Sequence, residues 1–145
     1  MGLIAVVYRD KHNLPFDLDK EGAEIDDRTG AVFFRDPERK RLFPRETRQA
    51  TRIKLGTTYD IVEITKELGP FLGAAESILT DRVLYDLSHS GDTVDVKDLQ
   101  SLETELLSLK EKLGARASKL AMRFIEDMLT LVKAAMEQHK PIVFV

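Results

Sequence analysis

Several groups of residues in this chain have types and spacings that could do chemistry. The run Asp17-Leu18-Asp19-Lys20-Glu21-Gly22 puts carboxylates at positions one, three and five and glycine at six, the oxygen pattern of a calcium loop. Position twelve of that pattern is Arg28, where a bidentate glutamate is needed, so the run reads as an acidic turn and no metal site is expected. His89 has Ser88, Ser90 and Asp92 as neighbours, the residue types of nucleophilic catalysis. Adjacent residues in one polar loop are not a triad, because triad members are defined by spatial roles and usually come from different elements. Glu63 and Glu67, four apart, share a helix face that an acid or a metal could use, and a solvated stripe has the same spacing. Glu76 in the first turns of a helix is favoured by the dipole with no function attached. None of His12, His89 and His139 has the helical spacing of a zinc or di-iron ligand pair. His139 suits a helix C-terminus, where a cation faces the dipole. No glycine pattern makes a phosphate loop or a dinucleotide fingerprint. No catalytic residue, metal or cofactor is therefore expected.

Charge is the more informative feature. Residues 35 to 54 contain eight basic side chains and three acidic ones, a net of +5, whereas the whole chain carries −3. Arg39, Lys40, Arg41, Arg45 and Arg48 are the residues that would meet phosphates if the segment served nucleic acid. Phe43 is the one aromatic within the segment, too few for a platform that stacks bases. Residues 10 to 27 hold seven acids against two bases, so the two arms could answer one another across a sheet. Nucleic acid is accordingly the alternative partner and not the leading one.

The elements that must position these groups follow from periodicity. Leu3 to Tyr8 is a near-continuous apolar run rich in β-branched residues, the mark of a strand covered on both faces. Residues 9 to 19 read as a loop. Glu24 to Asp26 and Ala31 to Phe34 form a hairpin about Asp27-Arg28-Thr29-Gly30, with glycine supplying positive φ. Pro37 and Pro44 bracket a polar loop, and Thr51 to Leu55 alternates as a short strand. From Thr57, β-branched residues favour strand, whereas Ile61, Ile64 and Leu68 recur at helical spacing behind a Thr57/Asp60 capping pair, which puts helix ahead. Gly69-Pro70 starts a helix through Phe71, Leu72, Ala75, Ile78, Leu79, Val83 and Leu87, ending near Ser88. Residues 89 to 92 are loop. Asp95 caps a helix whose Leu99, Leu102, Leu106, Leu109 and Leu113 make a heptad seam. Gly114 breaks it, and a helix runs from Ala115 to His139 before Lys140-Pro141. Ile142 to Val145 returns as a buried strand beside Leu3 to Tyr8.

The helix Ala115 to His139 carries an apolar arc of about 200°, roughly twice what a surface helix needs. It must touch neighbours on two sides, which are either two elements of its own domain or one element plus a partner. Met122, Leu129 and Met136, seven apart, lie on one line of that arc and would meet their copies in a two-fold homodimer. The seam and the helix could equally satisfy one another as an antiparallel hairpin across Gly114.

With 145 residues, no Cys and no Trp, the chain suits one domain that needs no disulfide or structural metal to hold its core. Absence of cysteine excludes thiol nucleophiles, zinc ribbons and Cys-ligated clusters, and it is compatible with a cytoplasmic location. No apolar run reaches the roughly 18 to 20 residues of a membrane span, and Met1 to Val7 reads as strand, not signal peptide. The expected fold is α+β, a small mainly antiparallel sheet from the N-terminal strands plus the C-terminal strand, packed against three to four helices. Residues 1–56 form its strand-rich part, 57–140 its helical part and 141–145 the returning strand. The expected function is a protein-interaction or self-associating module without catalysis, pairing with itself or with another protein. The alternatives are nucleic-acid binding through residues 35–54 and a hydrolase around His89.

Overall fold

β1 (Gly2–Tyr8) is the apolar run that the sequence marks, and Ala5, Val6 and Val7 are completely buried. The computed structural model describes residues 2–72, 77–86 and 90–145. β1 pairs antiparallel with β4 (Gln49–Thr57) on one edge and with β6 (Ile142–Phe144) on the other, with Ala5 opposite both Ile53 and Phe144. A short strand β5 (Thr93–Val94), which the sequence does not announce, pairs with β6 and completes the order β4-β1-β6-β5. The returning strand thus lies where the sequence places it, and the domain is α+β.

Between β1 and β4 the chain makes the hairpin β2 (Ala23–Ile25) and β3 (Val32–Phe34). Its tip closes with the Gly30 N–H on the Asp26 carbonyl at 2.7 Å, and Gly30 has φ 86°. A side chain on Gly30 would start 3.0 Å from Lys140 Cδ and 3.1 Å from Tyr8 Cβ, so the tip presses on the end of β1 and the approach to β6. The stretch expected as loop between Pro37 and Pro44 is mostly helical: α1 (Pro37–Leu42) and α2 (Arg45–Arg48) follow β3, separated by the non-helical Phe43 and Pro44. The cause is local, since the Asp36 carboxylate accepts the Glu38 N–H at 3.0 Å and Pro37 occupies the first turn.

α3 (Thr58–Leu68) settles the helix-or-strand ambiguity for helix. The Thr57 hydroxyl accepts the Asp60 N–H at 3.1 Å and the Asp60 carboxylate accepts the Thr57 N–H at 3.0 Å, a reciprocal cap that outweighs β propensity. The single helix expected from Gly69 to Ser88 is not formed. Gly69–Phe71 is one 3₁₀ turn, Leu72 is extended, and a π-helical turn occupies Leu79–Val83. Ala75, Leu87 and Ser88 lie outside the described residues. Glu105 fixes the second start by accepting the Ile78 N–H at 2.8 Å and the Leu79 N–H at 2.9 Å.

α4 (Leu99–Leu113) buries all five leucines of its seam. Asp95 precedes a 3₁₀ turn at Val96–Asp98 and makes no side-chain bond to it, so α4 begins one turn later than Asp95 suggests. α5 (Lys119–Gln138) also begins late, after a 3₁₀ turn at Gly114–Arg116, because Ser118 is its cap and accepts the Ala121 N–H at 3.0 Å. His139 ends it in the left-handed conformation, φ 53°.

α5 lies on the sheet against β1 and β4, with α3 beside it and α4 packed across it as the antiparallel hairpin partner. Its wide apolar arc is therefore met by the sheet and two helices of its own chain.

Phe124, fully buried at the middle of α5, should cost about 3–5 kcal/mol when cut to alanine, read as a lowered urea midpoint. Thr57→Ala should cost about 1 kcal/mol through loss of the cap. The bonds from Thr57 hold the Asp60 carboxyl below its ordinary value of 3.8. Its contribution is complete above that unfolded value and is lost as pH falls through the folded one, so Asp60→Asn should flatten the acid side of the stability profile below about pH 4.

Candidate functional site

The basic segment divides into two halves when it folds. Arg35 on the hairpin meets Glu24 at 2.6 Å, Arg39 meets Glu21 at 3.1 Å and Arg41 meets Glu38 at 3.2 Å. Glu24 also raises the Arg35 pKa, through a hydrogen bond and its charge. The acidic arm thus answers Arg35 and Arg39 as the sequence allows, although these exposed pairs contribute little stability. Lys40 is exposed on α1.

The other half is gathered by the end of β1. The Arg9 N–H donates to the Arg48 carbonyl at 3.0 Å and Arg9 Nη2 donates to the Glu46 carbonyl at 2.9 Å, which ties the chain leaving β1 to α2. Arg9, Arg45 and Arg52 then line one cleft of about 410 Å³ with Glu46, Gln49, Ala50 and Thr51. Among the described residues none of these three arginines has a carboxylate within ion-pair distance. Arg9 Nε is shielded from solvent and finds no acceptor among the described residues.

Arg48 does not join the cleft. Its guanidinium stands 5.9 Å from the centre of the Phe34 ring, and its Nε is likewise shielded without an acceptor. Phe34, Phe16 and Phe43 pack on one another with ring centres 4.3 to 5.6 Å apart. The aromatic inside the basic segment, Phe43, is therefore packed against Phe16 and Phe34.

Of the remaining candidates, the calcium-like run, Glu63 and Glu67 have structural roles, and Glu76, Ser88 and His89 fall outside the described residues. Asp17 Oδ1 accepts the N–H groups of Asp19 at 3.0 Å and Lys20 at 3.2 Å, which turns the calcium-like run into a capped turn. Glu63 pairs with Lys66 at 3.6 Å, and Glu67 accepts the Ser118 N–H at 2.9 Å, fastening the start of α5 to α3. His12 is exposed on a shallow depression lined also by Asp17 and Asp19, and His139 is exposed. Glu76, Ser88 and His89 lie outside the described residues. Asp92 lines a cleft of about 520 Å³ with Arg28, Asp81, Arg82, Tyr85, Thr93 and Asp95. Met122, Leu129 and Met136 are half-buried, and Leu129 and Met136 pack against the core.

Displaced carboxyl pKa values also trace to local structure. Asp26 is lowered chiefly by the Arg28 N–H within the hairpin turn, and Asp127 is raised by burial against the opposing pull of Arg123. Two residues escape sequence reading. Arg9 stands apart from the basic segment and is signalled by nothing in its own loop. Glu105 lies half-buried beside the unbroken leucine seam of α4, next to Leu106.

No protein-family model, no curated protein and no solved structure matches the chain.

Proposed function

We propose that the protein is a non-catalytic interaction module that holds an acidic segment of another protein in the cleft of Arg9, Arg45 and Arg52. The observation that carries this reading is the contrast between the two halves of the basic segment. Arg35, Arg39 and Arg41 already have carboxylates, whereas the cleft arginines converge from the residue after β1, from α2 and from β4 with no acid side chain bonded to them among the described residues. Arginine is suited to such a role because its planar fork binds a carboxylate through two parallel bonds.

An acidic protein segment fits better than a nucleic-acid backbone. The arginines converge on one short cleft, Arg35, Arg39 and Arg41 beside it are already paired with carboxylates, and the three phenylalanines pack on one another. A polyanion that depends on many phosphate contacts would gain little from so few free charges.

The test is fluorescence anisotropy with a labelled deca-glutamate peptide and a labelled 20-base-pair DNA, each at about 50 and 200 mM salt. Binding of the peptide, weakened about tenfold or more in Arg45→Ala/Arg52→Ala, is the expected result. DNA binding that falls about a thousandfold between the two salt concentrations would replace the reading with the nucleic-acid one. Binding of neither probe would end both.

A further inference from the structure

β4 closes the sheet on one side, and among the described residues it pairs with β1 alone. Its outer backbone groups can be assigned from the register. The Val145 N–H donates to the Ile4 carbonyl at 3.0 Å, so Ile4 directs its polar groups towards β6. In an antiparallel sheet these directions alternate along a strand. Ile4 and Val6 therefore face β6, and Ala5 faces β4. Their partners follow: Ile53, opposite Ala5, directs its N–H and C=O to β1, whereas Arg52 and Lys54, opposite Val6 and Ile4, direct theirs away from the sheet. The two residues that present free backbone groups are also exposed and cationic. Arg52 belongs at the same time to the arginine cleft.

We propose that this edge accepts an extended acidic segment of a partner protein as a fifth strand, with carboxylates opposite Arg52 and Lys54. The proposal rests on the reading of the cleft as a protein-binding site and specifies how the segment lies there. Main-chain bonds to an exposed sheet edge supply affinity in such complexes, and side chains at alternate positions supply selectivity. Here the alternate positions are the two cations, and opposite charges across neighbouring strands attract.

A second copy of this chain is the obvious competitor for the edge. An antiparallel pairing of β4 with its copy about a two-fold axis at Ile53 puts Arg52 opposite Lys54, and an axis at Arg52 or at Lys54 puts that one residue opposite its own copy. Like charges directly opposite destabilise a strand pair. Exposed cations on an edge strand are also a common means of preventing self-pairing. The same two side chains that oppose a second copy select an acidic strand.

The experiment titrates the whole protein with two hexapeptides of alternating glutamate and valine. One has ordinary amides, and the other is N-methylated at the residues whose N–H groups would face β4. Amide hydrogen exchange at Arg52 and Lys54 is followed by NMR. Expected are binding of the ordinary peptide, slowed exchange at both amides, and a loss of about tenfold on N-methylation. Arg52→Glu should weaken the acidic peptide and admit the same peptide with lysine in place of glutamate. Equal binding of the two acidic peptides with unchanged exchange would overturn the strand-addition proposal and leave the cleft reading standing. Binding of neither would remove both. Slow exchange at Arg52 and Lys54 without peptide, growing with protein concentration, would assign the edge to a second copy and overturn the proposal.

Discussion

β1 is enclosed at its middle, where Ala5, Val6 and Val7 are fully buried. Ala5 and Val7 belong to the core shared with the helices, Val6 is buried on the opposite face, and β4 and β6 take the two edges. A strand enclosed in this way forces everything else into place around it. The core face requires a long apolar cover, which α5 provides, and the opposite face requires the Gly30 tip against Tyr8. Closing the inner edge requires that the chain return after α5, and the left-handed His139 followed by Pro141 makes that reversal within a few residues.

The central position of α5 explains its composition. A helix resting on a sheet needs one apolar stripe, and a helix that also carries another helix on its back needs a second. Ala121, Phe124, Ile125, Met128, Leu131, Val132 and Ala135 are all buried because α3, α4 and the sheet surround them. The leucine seam of α4 is the matching surface. The seam of α4 and the broad face of α5 are complementary within one chain, and Met122, Leu129 and Met136 remain half-buried.

What the sequence disclosed, and what it hid, divides along the range of the interactions. The Thr57/Asp60 cap, the hairpin about Gly30 and the leucine seam are written in residues three or four apart, so they can be read directly. The break after Phe71 is different, because the second helical start depends on Glu105, 27 positions from Ile78. The helices around Pro37 and Pro44 lie between, since Asp36 and Pro37 are legitimate start signals in a stretch too short and too polar to show periodicity. The arginine cleft was half legible. Arg45 and Arg52 stand in an evident basic run, but Arg9 reaches them through the Arg48 carbonyl, and that bond exists only once β1 and β4 have paired. Conversely, Arg39 and Arg41, the most conspicuous cations in the sequence, are those the fold neutralises.

The adjacency of β1 and β6 also sets the order in which the molecule can be built. Ala5 and Phe144 are neighbours in the sheet although almost the whole chain separates them. Contacts between such distant segments slow folding, because a long loop must close before they reward it. At about 5–20 residues per second, a ribosome needs on the order of ten seconds to travel from β1 to β6. Throughout that interval the central strand of the sheet lacks its β6 partner. A nascent chain in this state is exposed to association with others through the very edge that β6 later seals, so residues 142 to 144 act as the final lock of the sheet and its protection against aggregation.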